Sequence, residues 1–164
     1  MQSDPGLLAI LRERYRFAEW SEGTGGAKDP LRVTPLRGTE LPGWRLERGS
    51  TSTPRPGVSL VRGMWLSLAG NDRLMDLELF ECDSASAARL LLLELLGDMQ
   101  GPPANRLPPD ALGDVAFNVG ADLTIMFVRA NVAVRLRNAG RNTTGLTAEA
   151  GAIDALLSAG DAAR

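Results

Sequence analysis

The chain is 164 residues long, 44% hydrophobic and 23% charged, with a formal net charge of −2. That is one domain on the usual ~100–200 residues per domain, long enough for a core without covalent staples, and its near-neutral balance gives no electrostatic reason to expect nucleic acid or an anionic membrane as partner. Histidine is absent and Cys82 is the only cysteine, which removes the commonest general base, Ser-His-Asp and Cys-His catalysis, His-containing and Cys-rich metal sites and any internal disulfide.

Arginine outnumbers lysine 17 to 1, Lys28 being the single lysine. This bias is associated with GC-rich bacterial genomes, through composition rather than physics. Met1 to Pro5 lacks a basic n-region, Leu7 to Leu11 is too short for a signal-peptide core, and no apolar run approaches the ~20 residues of a membrane span. As given, the chain reads as cytoplasmic; an export signal removed ahead of it would place the same sequence outside the cytoplasm.

Taken in order, Asp4 as N-cap and Pro5 at the first helical position predict a helix from Pro5 to Trp20, with Leu7, Leu8, Leu11, Tyr15 and Ala18 at helical spacing. A Gly-rich loop carrying Lys28 follows. Residues 1–30 thus read as a helix and loop ahead of a single α+β domain at 31–164. A short edge strand at 33–36 is limited by Pro35. Trp44 to Arg48 alternates as a strand, and the Ser/Thr/Pro-rich stretch 49–57 reads as an exposed loop. Val58 to Ala69 and Leu74 to Cys82 form a hairpin around Gly70-Asn71-Asp72-Arg73, with Gly63 predicting a bulge or bend.

Ser84 to Leu96 is a helix capped by Asp83 or Ser84. Its stripe of Ala88, Leu91, Leu92, Leu95 and Leu96, widened by Leu90 and Leu93, predicts burial against a sheet, and Gly97 suits a left-handed C-terminal position. Residues 97–109 are a Pro-rich loop. Gly113-Asp114 turns into a strand at Val115 to Val119. Thr147 starts a last helix through Leu157, with Ala150, Ile153, Leu156 and Leu157 facing the core.

The most informative stretch is 123–137, which predicts a β-hairpin. Leu123, Ile125 and Phe127 share one side of the first strand, and Thr124, Met126 and Val128 the other, so both faces are apolar, as in a central strand. In the second strand Val132, Val134 and Leu136 oppose Ala133, Arg135 and Arg137. Ala130-Asn131 forms the turn. Asn tolerates left-handed backbone, Ala less so, and a one-residue bulge is the expected compromise. The fold class that follows is α+β: a mostly antiparallel sheet built of hairpin and helix units, helices packed on one face, plus the N-terminal helix.

Four residues are candidates for ligand binding: Asp114, Arg129, Arg135 and Arg137. Asp114 reads either as a binding carboxylate or general base at a sheet end, or as a turn residue capping backbone N–H groups. The three arginines read either as an anion-binding strip or as partners of Asp76 and Glu78 across the sheet. No catalytic residue, metal ligand or cofactor is indicated. Asp72, Asp76 and Glu78 lack the calcium-loop pattern. Gly23-x-Gly25-Gly26 is not a phosphate loop. Trp20, Trp44 and Trp65 suit core packing or a pocket wall, and Cys82 suits a small buried hydrophobe.

The run Leu112-Gly113-Asp114-Val115-Ala116-Phe117, followed by Phe127-Val128-Arg129-Ala130-Asn131-Val132-Ala133-Val134 and a helix, resembles bacterial exported or lipid-anchored domains of unknown function over about residues 44–157. The chain departs from that pattern at Ala130, where Gly is expected. The resemblance implies a fold and export, and no activity. The expected function is a non-enzymatic binding or interaction module for a small molecule or protein. The alternatives are a carboxylate-dependent enzyme using Asp114 with an arginine clamp, or an oligomeric structural subunit joined through the Pro5–Trp20 helix.

Overall fold

The computed structural model describes residues 4–21, 31, 33, 41–70 and 72–162. The Gly-rich loop around Lys28, most of the edge strand expected at 33–36, and Asn71 lie outside the described residues. A strand apolar on both faces needs cover on both, and β6 (Thr124–Arg129) lies inside the sheet with Ile125, Met126, Phe127 and Val128 all buried. It is flanked by β5 (Val115–Val119) and by β7 (Val132–Asn138), which pairs on its far side with β3 (Leu74–Cys82). Beyond β3 come β2 (Val58–Ser67) and, at the edge, β1 (Trp44–Arg55). The two-residue β4 (Asn105–Arg106) closes the opposite edge beside β5. Among the described residues the order is therefore β1-β2-β3-β7-β6-β5-β4, antiparallel throughout. The α+β architecture with its antiparallel sheet and N-terminal helix is the one expected from the short turns between strands.

The helices divide between the two faces, where the sequence reading put them on one. α1 (Pro5–Arg14) and α2 (Ala85–Gly97) share a core with Phe80, Phe117, Met126, Val128 and Ala133. α3 (Thr147–Ala162) covers the opposite face through Ala150 and Ile153, against a core that holds Leu77, Leu79, Ile125, Phe127, Val134 and Leu136. Strand alternation puts too many large apolar side chains on that second face for it to remain wet. The stripe of α2 behaves as its spacing requires: Ala88, Leu91, Leu92, Leu95 and Leu96 are buried, and the Ser84 hydroxyl accepts the Ala87 N–H at 3.1 Å. α1 is tied into the same core through Leu11, while Trp20, just beyond it, packs on Phe117 with ring centroids 5.4 Å apart.

Several local expectations differ from the structure. The Ser/Thr/Pro stretch 49–55 is no loop but the outer half of β1, which pairs on one side only and so tolerates Pro54 and exposed hydroxyls. The helix predicted to run to Trp20 stops at Arg14; Arg16 takes a positive φ of 51° and one 3₁₀ turn, Phe17–Glu19, follows. Gly97 ends α2 in helical geometry, and the following residue, Asp98, is right-handed too. Gly97 is small because α1 passes close by: a Cβ there would meet Leu11 Cδ1 at 2.5 Å. Gly63 introduces no bulge, since β2 and β3 stay in register through it. Among the described residues no helix is long and apolar enough to cross a membrane.

Candidate functional site

The β6–β7 turn is where two of the predicted residues meet. β6 and β7 stay in register from Thr124 opposite Arg137 to Arg129 opposite Val132, so the turn is two residues and the expected bulge does not form. Ala130, not Asn131, takes the left-handed backbone, at φ 51°. Asn131 instead uses its side chain, donating to the carbonyls of Leu31 and Cys82 at 3.0 and 2.9 Å and accepting the Leu31 N–H at 2.6 Å. The strained Ala130 is held by Asp114, whose Oδ2 accepts the Ala130 N–H at 2.7 Å. Asp114 is placed there by its own N–H, which donates to Val128 O at 2.6 Å. Gly113 permits that approach: its φ is +57°, and a Cβ would lie 2.4 Å from Val128 O.

Arg129 completes this corner. It donates from Nε and Nη2 to both carboxylate oxygens of Asp154 on α3, at 2.8 and 2.7 Å, and its Nη1 lies 3.5 Å from Asp114 Oδ1. Asp154 also accepts the Gly113 N–H at 3.0 Å. The hydrogen bonds to Asp154 hold Arg129 above its ordinary pKa, against the opposing effect of burial. This fork-on-fork pair joins α3 to the hairpin and to the Gly-Asp turn. Beside it lies a polar cleft of about 280 Å³ whose walls include Glu19, Arg106, Asp110, Asp114 and Arg129.

Arg135 and Arg137 do not join that corner. A two-residue turn pairs residues of opposite parity, so odd-numbered Arg129 and odd-numbered Arg135 fall on opposite faces of the sheet. On the α2 side, Glu78 stands directly between Arg62 and Arg135 across three strands, and Asp76 stands opposite Arg137. Arg135 Nε donates to Glu78 Oε2 at 2.5 Å. Arg62 grips Asp76 with two bonds of 3.0 and 2.9 Å, and Arg137 bonds the same carboxylate. Burial by itself would raise the Asp76 carboxyl; the hydrogen bonds from Arg62 and Arg137 outweigh it and hold the group below its ordinary value. Of the two readings of Arg135 and Arg137, the geometry is that of pairing across the sheet.

A third place was marked as a site in the sequence only through Trp65, read there as core packing or a pocket wall. On the α3 side, where β1 lies against β2, an apolar recess of about 280 Å³ is walled among the described residues by Leu46, Val61, Gly63, Trp65, Leu77 and Leu79; Arg62 also borders it, but its side chain turns to the α2 side, where it bonds Asp76. Trp65 is 1% exposed, and its indole N–H is buried with no hydrogen-bond partner among the described residues. A Cβ on Gly63 would stand 2.6 Å from that nitrogen and 3.0 Å from Leu46 Cδ1. Gly63 therefore lets the indole edge and Leu46 pack closely against the strand, where any side chain would collide with them. The available signal was a glycine two residues before a tryptophan on one strand face, the mark of a close approach rather than a bulge. Trp20 and Trp44 are buried as well, so the three tryptophans do not gather at one pocket.

Two comparisons of sequence, with family models and with characterised proteins, and one of the fold with solved structures give no match for this chain.

Proposed function

We propose that the chain is a non-enzymatic binding module, and that its ligand is a small apolar molecule seated in the recess between β1 and the Trp65 side of the sheet. The observation that carries this reading is the buried Trp65 indole N–H, unpartnered among the described residues, on a residue that lines an apolar recess. Native proteins pair almost all buried donors, because an unsatisfied one costs about 1–3 kcal/mol. An apolar concavity with one convergent polar group is the usual form of a small-molecule site, and about 280 Å³ lies close to the lower end of the roughly 300–1,000 Å³ such sites span. The polar candidates support it by contrast: Asp114, Arg129, Arg135 and Arg137 are each engaged by partners within the chain.

The test is uptake of the neutral apolar dye N-phenyl-1-naphthylamine, read by fluorescence. Saturable uptake that is lost on Leu46→Phe, with the circular dichroism spectrum unchanged, is the expected result. Uptake that is absent, or indifferent to Leu46→Phe, overturns the assignment.

A second reading, a carboxylate-dependent enzyme, draws on one observation: Asp114 and Arg129 both line the polar cleft beside Arg106. Reproducible turnover in a hydrolase and transferase screen, abolished by Asp114→Asn in a folded protein, would establish it. Export, which the sequence resemblance implies, is checked separately by fractionating cells that carry the full gene.

A further inference from the structure

We infer that the recess selects an uncharged ligand whose apolar body ends in a hydrogen-bond acceptor, a carbonyl of an amide or ester, directed at Trp65 Nε1. This deepens the binding-module reading and rests on it. An indole nitrogen can only donate, so whatever meets Trp65 there must accept. The nitrogen belongs to a residue in the wall of the recess and is buried close against Gly63, where any side chain would collide with it.

Charge decides between kinds of acceptor. The Arg62 guanidinium lies on the α2 side of the sheet, away from the recess, where it is gripped by both oxygens of Asp76 and its Nε stands 3.8 Å from Glu78. No carboxylate is among the described residues that line the recess, so an ammonium has no counter-charge. A carboxylate ligand would have to desolvate against one neutral N–H. Burying a charge without a dedicated partner costs far more than burying a paired neutral dipole. The neutral carbonyl is the acceptor that gains the indole hydrogen bond without that desolvation.

The experiment uses three probes of equal chain length, N-methylhexanamide, hexanoate and hexylammonium, titrated into the ¹⁵N-labelled full chain. The readout is the Trp65 indole N–H resonance, identified by its disappearance in Trp65→Phe. The amide is expected to shift that resonance downfield and to bind at least about tenfold more tightly than hexanoate, with hexylammonium weakest. Gly63→Ala is expected to abolish the shift. Because its Cβ would crowd the indole, Leu46→Phe, a change on the outer strand, serves as the independent block. Hexanoate binding as tightly as the amide, with the Trp65 signal moving, overturns the ligand class and leaves the recess as the binding site. The Trp65 signal unmoved by all three probes, while the naphthylamine dye still binds, overturns the role of the indole. No probe and no dye binding overturns the binding module itself.

Discussion

Asp76→Asn separates the electrostatic account of the sheet from a merely geometric one. The Asp76 side chain is 5% exposed and receives two bonds from Arg62 and one from Arg137. Asn keeps the shape and one acceptor oxygen but turns an N–H₂ toward a guanidinium. Hydrogen bonds to charged groups contribute about 1.5–3 kcal/mol each. Arg62 and Arg137 are 48% and 39% exposed and can rehydrate when the carboxylate goes, which trims the loss to about 2–3 kcal/mol for the cluster as a whole. The folded state holds the Asp76 carboxyl below its ordinary value. Its contribution is therefore fully present above the unfolded-chain value of about 3.9 and is lost as pH falls through the lower folded value. Urea melts of both proteins at neutral pH and at a series of acidic pH values measure it. The gap between them should be widest at neutral pH and should narrow in acid. A neutral-pH gap under about 0.5 kcal/mol, the worth of an ordinary exposed ion pair, or a gap that ignores pH, would refute the reasoning.

Other consequences follow from the turn, the thiol and the first helix. Ala130→Gly is expected to stabilise by about 0.5–1 kcal/mol, since relief of a left-handed alanine exceeds the entropy glycine adds to the unfolded chain; a lower melting temperature would contradict the strain at φ 51°. Cys82 is buried and its thiol is pushed up to about 11, chiefly by burial, so Ellman's reagent should label it only at the rate of unfolding; prompt labelling of native protein would show the site to be open. Deleting residues 1–21 removes Leu11 and Trp20 from the core and should lower stability by about 3–5 kcal/mol; an unchanged urea midpoint would make α1 an appendage. Assembly through α1 would use Leu7 and Ile10, which are exposed. Ile10→Asp then lowers the mass seen by light scattering, and an unchanged mass retires the oligomeric-subunit reading.

Local pattern by itself determined the layers of this protein. Two apolar faces on residues 124–128 require a strand covered on both sides, the leucine stripe of 88–96 requires a helix lying on a sheet, and short turns between strands require antiparallel pairing. Parity across a two-residue turn already separates Arg129 from Arg135 once the register is accepted. Strand order and helix placement were the work of the tertiary structure, because neither is carried by a period of 2 or 3.6 residues. That β3 lies beside β7 decides that Asp76 and Glu78 answer Arg137 and Arg135. That α3 returns over the second face decides that Arg129 meets Asp154 rather than a ligand. And β1 lying against β2 brings Gly63, Trp65 and Leu46 together as walls of a recess, with an indole N–H that has no partner among the described residues.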